Sequence, residues 1–398
     1  MKEKKRILST VSLYHALDDG AISVIPLLFP VLKILFNLSY TQIGFITGGG
    51  LLITLIGQIF IGHISDSKNF RIMLASGILL ISVSMLLLTQ AYDFITLVLF
   101  IFILRLAASF FHPIGIGWIS RTFKKDRLDW AMGIQSGFGD IGAFIAVLTT
   151  LYLVELKGWK FPLFIWSIFG VLILLSGLYL TRSTRVENTI TKSKDTTRLK
   201  LKNYFIDAKK FLKRIKILIP AFILSGATWS ITISYLPLLL NERTNLSLPY
   251  IGFLISVWLG IGSIVSFFYG RIYSLIGRKN VILFAYFTIG LVGFSLSYFT
   301  NTIMILILMI LLGISTFLTY PALFSFVSSV TLETTEGKSF GYIFTIQLGG
   351  GTLLLVISGV LSDLWGIWVP FTILGITSIT LTVLLFVYRK KPVVVESQ

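Results

Sequence analysis

Two nine-residue stretches of this 398-residue chain are identical at six positions. NLSYTQIGF covers residues 37–45, and NLSLPYIGF covers residues 245–253, which is 208 positions later. The register then continues without a gap, because Gly62 corresponds to Gly270 and Pro113 corresponds to Pro321. A repeat of such long period indicates two copies of one structural module, so the two halves of the chain should share one architecture.

The composition indicates that both copies lie in a membrane. Hydrophobic residues make up 55% of the chain, charged residues only 13%, and the mean hydropathy is +0.89. Too few polar groups are present to cover so much apolar surface in water. Apolar stretches of about 20 residues, the length that crosses the hydrocarbon core as an α-helix, recur along nearly the whole sequence. We therefore predict an all-α integral membrane protein.

The apolar runs between polar breaks predict twelve spans, six in each half of the chain. They cover residues 10–36, 42–62, 72–91, 95–119, 130–154, 161–181, 217–240, 250–270, 280–300, 303–329, 340–362 and 367–388. The basic segment 182–216 separates the two halves. The predicted domains are an N-terminal six-helix bundle (1–181), this cytoplasmic linker loop (182–216), and a C-terminal six-helix bundle with a short tail (217–398).

The basic residues predict the orientation of the spans. All but five of the 34 Lys and Arg residues lie in alternate loops, in the linker or at the two ends of the chain. Inner loops of membrane proteins carry this excess of positive charge. We expect both termini in the cytoplasm and two bundles of the same orientation, related by an axis along the membrane normal. Because the net charge of +17 is dispersed over short loops, it does not indicate a nucleic-acid partner.

The loop after the second span of each half carries a related motif. Its residues are Gly62, Asp66 and Arg71 in the first copy, and Gly270, Gly277, Arg278 and Lys279 in the second. Across essentially its full length, the chain resembles the major facilitator superfamily, whose pattern at this loop is Gly, three residues, Asp, a basic residue, any residue, Gly, Arg and a further basic residue. The first copy departs from the pattern at Asn69 and Phe70, and the second at Ser274. The resemblance implies two six-helix bundles around a central cavity that opens alternately to each side.

A closer resemblance lies in the first four spans. The segments HALDD (15–19), PVLKILFNLSYTQIG (30–44) and FHP (111–113) look like the fosmidomycin-resistance branch of drug exporters. This resemblance implies proton-coupled export. The fifth span lacks the Gly-Pro pair that is typical of many antiporters, so proton-coupled uptake of a small nutrient, such as an organic acid or a sugar, stays open as the alternative.

Ionisable residues within the spans are the candidates for proton coupling. A charge at mid-membrane costs ~2.5 to 3.5 kcal/mol on insertion scales, so these side chains should face the bundle interior. His15 and Asp19 lie four residues apart and share one helix face. Asp18 is about 100° away from Asp19, so we expect Asp19 to face the cavity. The predicted proton-coupling residues are His15, Asp18, Asp19 and Asp140.

Arg105 and His112 are the leading candidates for the substrate cavity. They lie seven residues apart in one predicted span and should point the same way. Arg105 keeps its charge and needs a partner, for which Asp140 is one candidate, and a static structural pair is the alternative to a substrate site. For His112 the alternative is an interior histidine beside a proline kink. The other predicted cavity residues are Gln135, Trp229, Tyr235, Tyr320 and Gln347.

These features together predict a secondary transporter. The leading hypothesis is proton-driven efflux of a small amphipathic or anionic compound by alternating access, in a monomer of the plasma membrane whose partners are the substrate, protons and lipid. The sequence shows no Walker loop, no nucleophile motif and no metal-binding His/Cys spacing, so no enzyme activity, cofactor or metal is expected. A membrane-embedded enzyme or a sensor without transport is the alternative class.

Overall fold

The helices account for nearly all of the chain that the computed structural model describes, which comprises residues 2–65, 69–184, 209, 211–330 and 336–387. The first half contains α1 (Lys2–Leu35), α2 (Tyr40–Ser65), α3 (Phe70–Leu88), α4 (Phe94–Ala108), α5 (Phe111–Thr122), α6 (Lys125–Lys157) and α7 (Lys160–Leu180). The second half contains a short 3-10 turn (Lys216–Leu218), α8 (Ile219–Arg243), α9 (Leu248–Phe267), α10 (Tyr269–Ile276), α11 (Arg278–Tyr298), α12 (Thr302–Val330), α13 (Glu336–Trp365) and α14 (Val369–Val387). The described residues include no strand, and the all-α prediction is confirmed.

The number of apolar helices fits a multi-pass membrane protein. Eleven helical segments within the described ranges are long and apolar enough to cross a membrane. Helix α1 is not among these eleven, although it is 34 residues long. It carries His15, Asp18 and Asp19 in its middle, and it packs along α6 and α7. With α1 as the remaining span, the predicted count of twelve is roughly consistent with the structure.

The fourth predicted span, residues 95–119, lies in one apolar segment, Phe94–Thr122, whose helical hydrogen bonding is interrupted in the middle. It is divided into α4 and α5 by a turn at Ser109 and Phe110. Pro113 gives the physical reason, because it has no N–H to bond the carbonyl of Ser109 and its ring would clash with that carbonyl. In the observed structure Pro113 lies in the first turn of α5, where a missing N–H leaves no helical bond unmade. The corresponding Pro321 lies inside the uninterrupted α12.

The described residues form two compact units. The first unit contains the described residues of 1–191 together with 236–256, and the second contains those of 192–235 and 257–398. Within the first unit, Lys33 of α1 pairs with Glu242 at the end of α8 at 3.4 Å, and the Tyr40 hydroxyl also donates to the Glu242 carboxylate. Within the second unit, α11 packs against α12 and α14. The domain boundaries at 181, 182–216 and 217 stay a prediction.

Helices α1 and α6 lie in backbone contact because glycines face α1. A Cβ atom added at Gly142 would lie 1.9 Å from the carbonyl oxygen of Ala16, which is backbone and has no other position to take. A Cβ atom at Gly139 would lie 2.5 Å from Oδ2 of Asp19. Small residues let membrane helices approach this closely. The close approach brings the polar middle of α1 against α6, α5 and α4.

Candidate functional site

His15 lies at the centre of the polar cluster in the first unit. Its Nδ1 is 2.8 Å from the backbone oxygen of Gln135 on α6, and its Nε2 is 3.2 Å from Oδ2 of Asp19. The ring stacks on Phe111 of α5 with 4.2 Å between ring centroids. Because a carbonyl oxygen only accepts hydrogen bonds, Nδ1 carries the hydrogen and donates it. In neutral His15 the Nε2 lone pair therefore faces the Asp19 carboxylate, and a cation between them is required for attraction.

The two adjacent aspartates of α1 have different surroundings. Asp18 is 1% exposed, and its charged neighbours are Asp19 and Arg105. The Asp19 side chain is 24% exposed and is the one that reaches His15. The structure thus brings His15 and Asp19 together on one face of α1, as the spacing predicts. Asp18 is the more buried of the two aspartates and has Arg105 as a charged neighbour.

Arg105 is buried on α4, and its environment differs from the expected one. Its side chain covers Gly50 of α2, where an added Cβ would lie 2.9 Å from Cγ of Arg105. Among the described residues no ion pair joins Arg105 to Asp140, and the acidic group that stabilises its charge is Asp18. Asp140 is exposed on α6, where its charged neighbours are Asp19 and His15. Of the candidate partners for Arg105, the structure therefore places Asp18 rather than Asp140 beside it.

Arg105 also has capacity for a further contact. Its Nε is buried and has no hydrogen-bond partner. A guanidinium has five N–H donors in a planar fork that matches carboxylate and phosphate groups. This donor lies beside Gly50 of α2, where an added Cβ would be 3.2 Å from it, and it could bind an anionic group.

His112 joins the cluster from α5 rather than from α4. Its ring meets the His15 ring edge-on, with 5.5 Å between centroids, and it is half-buried. The ligand atoms of His15, Asp19 and His112 all lie within 4.8 Å of one another. The His112 ring contacts His15 and Phe111, and Arg105 is not among its charged neighbours. The grouping of His112 with His15, and the roles of Phe111 and the Gln135 carbonyl, depend on contacts between helices that no local spacing shows.

The predicted cavity residues of the second half lie among neutral groups. The Trp229 ring packs against Trp258 at 5.1 Å, Phe317 at 5.5 Å and Tyr320 at 6.5 Å between centroids. These four residues are named the aromatic cluster below. Trp258 is fully buried, and no sequence pattern singled it out. Aromatic faces of this kind suit apolar or cationic groups of a ligand.

The amide and hydroxyl groups near the aromatic cluster are largely bonded within the second unit. Gln347 Nε2 donates to Ser225 Oγ at 2.7 Å, and the Tyr320 hydroxyl lies 3.5 Å from the Ser225 carbonyl. The Tyr235 hydroxyl donates to the Leu355 carbonyl at 3.0 Å, and the ring is completely buried. Tyr235 therefore makes a packing contact between α8 and α13, whereas Tyr320 stays partly exposed.

The loop motif has a structural role where it is described. Arg71 donates from Nε to Thr181 Oγ1 and from Nη2 to the Leu178 carbonyl, each at 3.0 Å. It thus binds the last turn of α7, where free carbonyls and the helix dipole favour a cation. Asn69 accepts from the Arg71 and Ile72 amides as the N-cap of α3, which gives its departure from the family pattern a local reason. Asp66 lies outside the described residues.

The second copy of the motif forms the junction of α10 and α11. Gly277 has a φ of 76°, a conformation that favours glycine, and it caps both helices. The Arg278 guanidinium lies 5.5 Å from the Tyr273 ring centroid, and Lys279 is exposed. A Cβ atom added at Gly62 would lie 3.5 Å from Cβ of Pro113, whereas a Cβ atom added at Gly270 would meet nothing within 4 Å.

Comparison with known proteins gives one consistent result. The sequence model described as "Major Facilitator Superfamily" matches residues 11–354. The uncharacterized MFS-type transporter MJ1560 of Methanocaldococcus jannaschii is 24% identical over 338 residues, which cover 82% of this chain and 83% of that protein. The uncharacterized MFS-type transporter YfnC of Bacillus subtilis is 29% identical over 153 residues, 38% of this chain and 37% of its own length.

Solved structures share the fold. The nucleoside transporter NupG has a TM-score of 0.77 at 17% identity, with 98% of this chain and 100% of that chain covered. A bacterial homolog of the human lysosomal transporter Spinster, in an inward-facing and unoccupied conformation, has a TM-score of 0.75 at 15% identity, with 96% and 95% covered. At such identities the likeness shows the arrangement of the helices and carries no information on the substrate.

Proposed function

Since this chain belongs to the major facilitator superfamily and is a membrane transporter rather than an enzyme, we propose that it is a proton-coupled exporter of a small amphipathic or anionic compound. The proposed site is the polar cluster of His15, Asp18, Asp19, Arg105 and His112. Transport then occurs by alternating access, in which the binding site opens to one side of the membrane at a time.

The contact between His15 Nε2 and Asp19 Oδ2 carries the proposal. Since the Gln135 carbonyl holds the hydrogen on Nδ1, a proton bound at Nε2 lies between two acceptors 3.2 Å apart. Protonation turns a repulsive contact into an ion pair within the buried middle of α1. Ionisable residues inside membrane helices commonly mark such proton relays. Gain and loss of this proton therefore change the electrostatic attraction between His15 and Asp19 on α1. They also change the attraction between His15 and the acidic group of Asp140 on α6.

The Arg105 guanidinium favours a substrate that carries an anionic group. Its charge is permanent, its Nε has no partner, and Asp18 is the buried acid that offsets it. A carboxylate or phosphonate could take the free donor and compete with Asp18 for the guanidinium.

The test is proton-driven flux in proteoliposomes that contain the purified full chain. Fosmidomycin, which gives its name to the branch that the first four spans resemble, is the first probe, and internal pH is followed with a trapped dye. We expect flux that follows the pH gradient in the original protein and falls to the level of protein-free liposomes in Asp19→Asn. Asp129→Asn, at an exposed position of α6, is the matched control and should keep its flux. Undiminished gradient-driven flux in Asp19→Asn would exclude the proposed proton site.

The direction of proton movement separates export from uptake. The alternative is proton-coupled uptake of a small nutrient. It is supported by α6, in which Gly137, Gly139 and Gly142 occur without the proline that many antiporters have there. On addition of substrate at zero gradient, an antiporter moves protons opposite to the substrate, whereas a symporter moves both the same way. If the two move together, export is wrong and uptake takes its place.

We also propose cytoplasmic termini, a plasma-membrane location and a monomer. The asymmetric distribution of Lys and Arg between alternate loops supports the cytoplasmic position of the termini. The chain has no cysteine, so a single introduced cysteine gives a labelling signal without background. Cysteines at the two ends should react with an impermeant maleimide only after the cells are opened, and reaction in intact cells would reverse the orientation.

A further inference from the structure

Two histidines and a carboxylate converge at the α1, α5 and α6 contact, and we propose that His15, Asp19 and His112 bind a divalent transition-metal cation such as Zn²⁺ or Co²⁺. The ligand atoms of the three residues all lie within 4.8 Å of one another. Imidazole nitrogen and carboxylate oxygen are donors that these cations prefer. A site with three protein ligands leaves a fourth position for water or a substrate.

The distance between the first two donors fits a tetrahedral ion. In such a site, metal–ligand bonds of 2.0–2.1 Å place neighbouring donor atoms about 3.3 Å apart. Nε2 of His15 and Oδ2 of Asp19 are separated by 3.2 Å. The third donor, on His112, lies within 4.8 Å of the other two and has to move inward to complete the set. Two of three ligands are thus at coordination distance from a common point.

The surroundings of His15 are those of a metal ligand. A ligating histidine commonly donates its other ring N–H to a backbone carbonyl or a carboxylate, which fixes the tautomer and directs the lone pair at the metal. The Gln135 carbonyl makes this contact with Nδ1 at 2.8 Å. Nε2 is buried in a residue that is only 5% exposed, and no hydrogen bond satisfies it. A buried nitrogen lone pair without a hydrogen-bond partner is costly, and a bound cation would satisfy it.

Gly139 of α6 keeps the space beside this pair free of side-chain atoms. A Cβ at residue 139 would lie 2.5 Å from Oδ2 of Asp19 and 2.8 Å from Nε2 of His15. The position therefore accepts no larger side chain while the pair keeps its geometry. An ion held by Nε2 and Oδ2 would occupy the region that the missing side chain leaves open.

The charges around the cluster favour a dication. Asp18, Asp19 and Asp140 are the acidic neighbours, and Arg105 is the fixed cation beside Asp18. These acidic groups outnumber the fixed cation by three to one, so carboxylate groups are available to offset the charge of a bound dication. Metal binding needs only the three ligands His15, Asp19 and His112 and does not depend on proton-coupled transport.

Metal binding is measured on the full chain in detergent after removal of any affinity tag. We expect calorimetric titration with Zn²⁺ to show one ion per chain, and Co²⁺ to give the visible absorption of a four-coordinate site. His112→Asn, at a half-buried position, should weaken binding at least about tenfold. The third histidine of the chain supplies the matched control, since His63→Asn should leave affinity and Co²⁺ spectrum unchanged.

A second variant separates loss of ligands from loss of structure. Gly139→Ala keeps every ligand but fills the space next to His15 and Asp19, and we expect it to weaken Zn²⁺ binding while circular dichroism and the metal-free melting temperature show a folded protein. No stoichiometric binding of either ion by the original protein would overturn the proposal, and so would affinities in His112→Asn equal to those of the original. Neither measurement needs a substrate or a gradient, so its failure is distinct from failure of the transport assay.

Discussion

The glycines of α6 allow a sharp test of how closely α1 and α6 pack. Gly142 and Gly137 lie on the same helix, but a Cβ at 142 would lie 1.9 Å from the Ala16 carbonyl oxygen, whereas a Cβ at 137 meets nothing within 4 Å. The first distance is about 1.5 Å short of the 3.4 Å at which ordinary contact begins. Because the opposing atom is backbone, the two helices must separate to admit the methyl group.

The expected magnitude follows from comparing the two alanine variants. Each gains about 1 kcal/mol because alanine is the better helix former, and this gain cancels in the comparison. Overpacking of a close-packed contact costs about 1 to 3 kcal/mol, and the clash with backbone places Gly142→Ala at the upper end. We therefore expect Gly142→Ala to be less stable than Gly137→Ala by about 3 kcal/mol.

The assay is equilibrium unfolding in mixed micelles, followed by the fluorescence of the eight tryptophans. The free energy of unfolding is extrapolated to zero denaturing detergent for the original protein and both variants. Gly137→Ala should equal or exceed the original. If the two variants agree to within about 0.5 kcal/mol, which is the range of substitutions that touch nothing, then α1 and α6 do not meet through Gly142 and the reasoning is refuted.

Two further predictions concern the ends of helices. Arg71→Ala removes both hydrogen bonds to the last turn of α7 and should lower the free energy of unfolding by about 1 to 3 kcal/mol, measured as above, with exposed Arg271→Ala as a control that stays near the original. At the start of α4, hydrogen bonds from the side chain and backbone of Thr96 lower the pKa of Asp93 below its ordinary value of 3.8. A lowered folded pKa means stabilisation that is complete above the unfolded value and disappears as the pH falls through the folded one. The melting-temperature difference between the original protein and Asp93→Ala should therefore be constant at neutral pH and shrink below about pH 3.8, and a difference independent of pH would contradict the assignment.

The sequence predicts the helices well because the length of each apolar run and the internal repeat can be read from the chain itself. It also predicts the His15–Asp19 pair, since a spacing of four is a local property of one helix. It does not predict that equivalent prolines act differently. Pro113 starts a new helix after a turn, whereas Pro321 lies within α12. Whether a helix bends or stops at a proline depends on which neighbouring groups satisfy the freed carbonyls, and that is a property of the packed structure.

The partners of charged groups were the least predictable part of the site. Asp140 is in the span that follows Arg105 along the chain, yet Asp18 of α1 is the acid that stabilises Arg105. In the same way, His112 meets His15, which is 97 positions earlier in the chain. Contacts between helices depend on rotation about each helix axis, and an apolar span surrounded by lipid and protein carries little periodic signal to fix that rotation.

Because of the interruption after Ala108, the two polar residues of the fourth span, Arg105 and His112, lie on separate helical segments. Arg105 belongs to a segment secured to α2, where the Thr54 hydroxyl donates to the Arg105 carbonyl at 3.0 Å. His112 belongs to a segment of twelve residues whose first turn has no side-chain cap. A change of backbone torsion at Ser109 and Phe110, where helical hydrogen bonds are missing, would move one segment relative to the other. An imidazole could approach or leave its neighbours on α1 without disturbing the guanidinium, and a continuous helix would force both to move as one body.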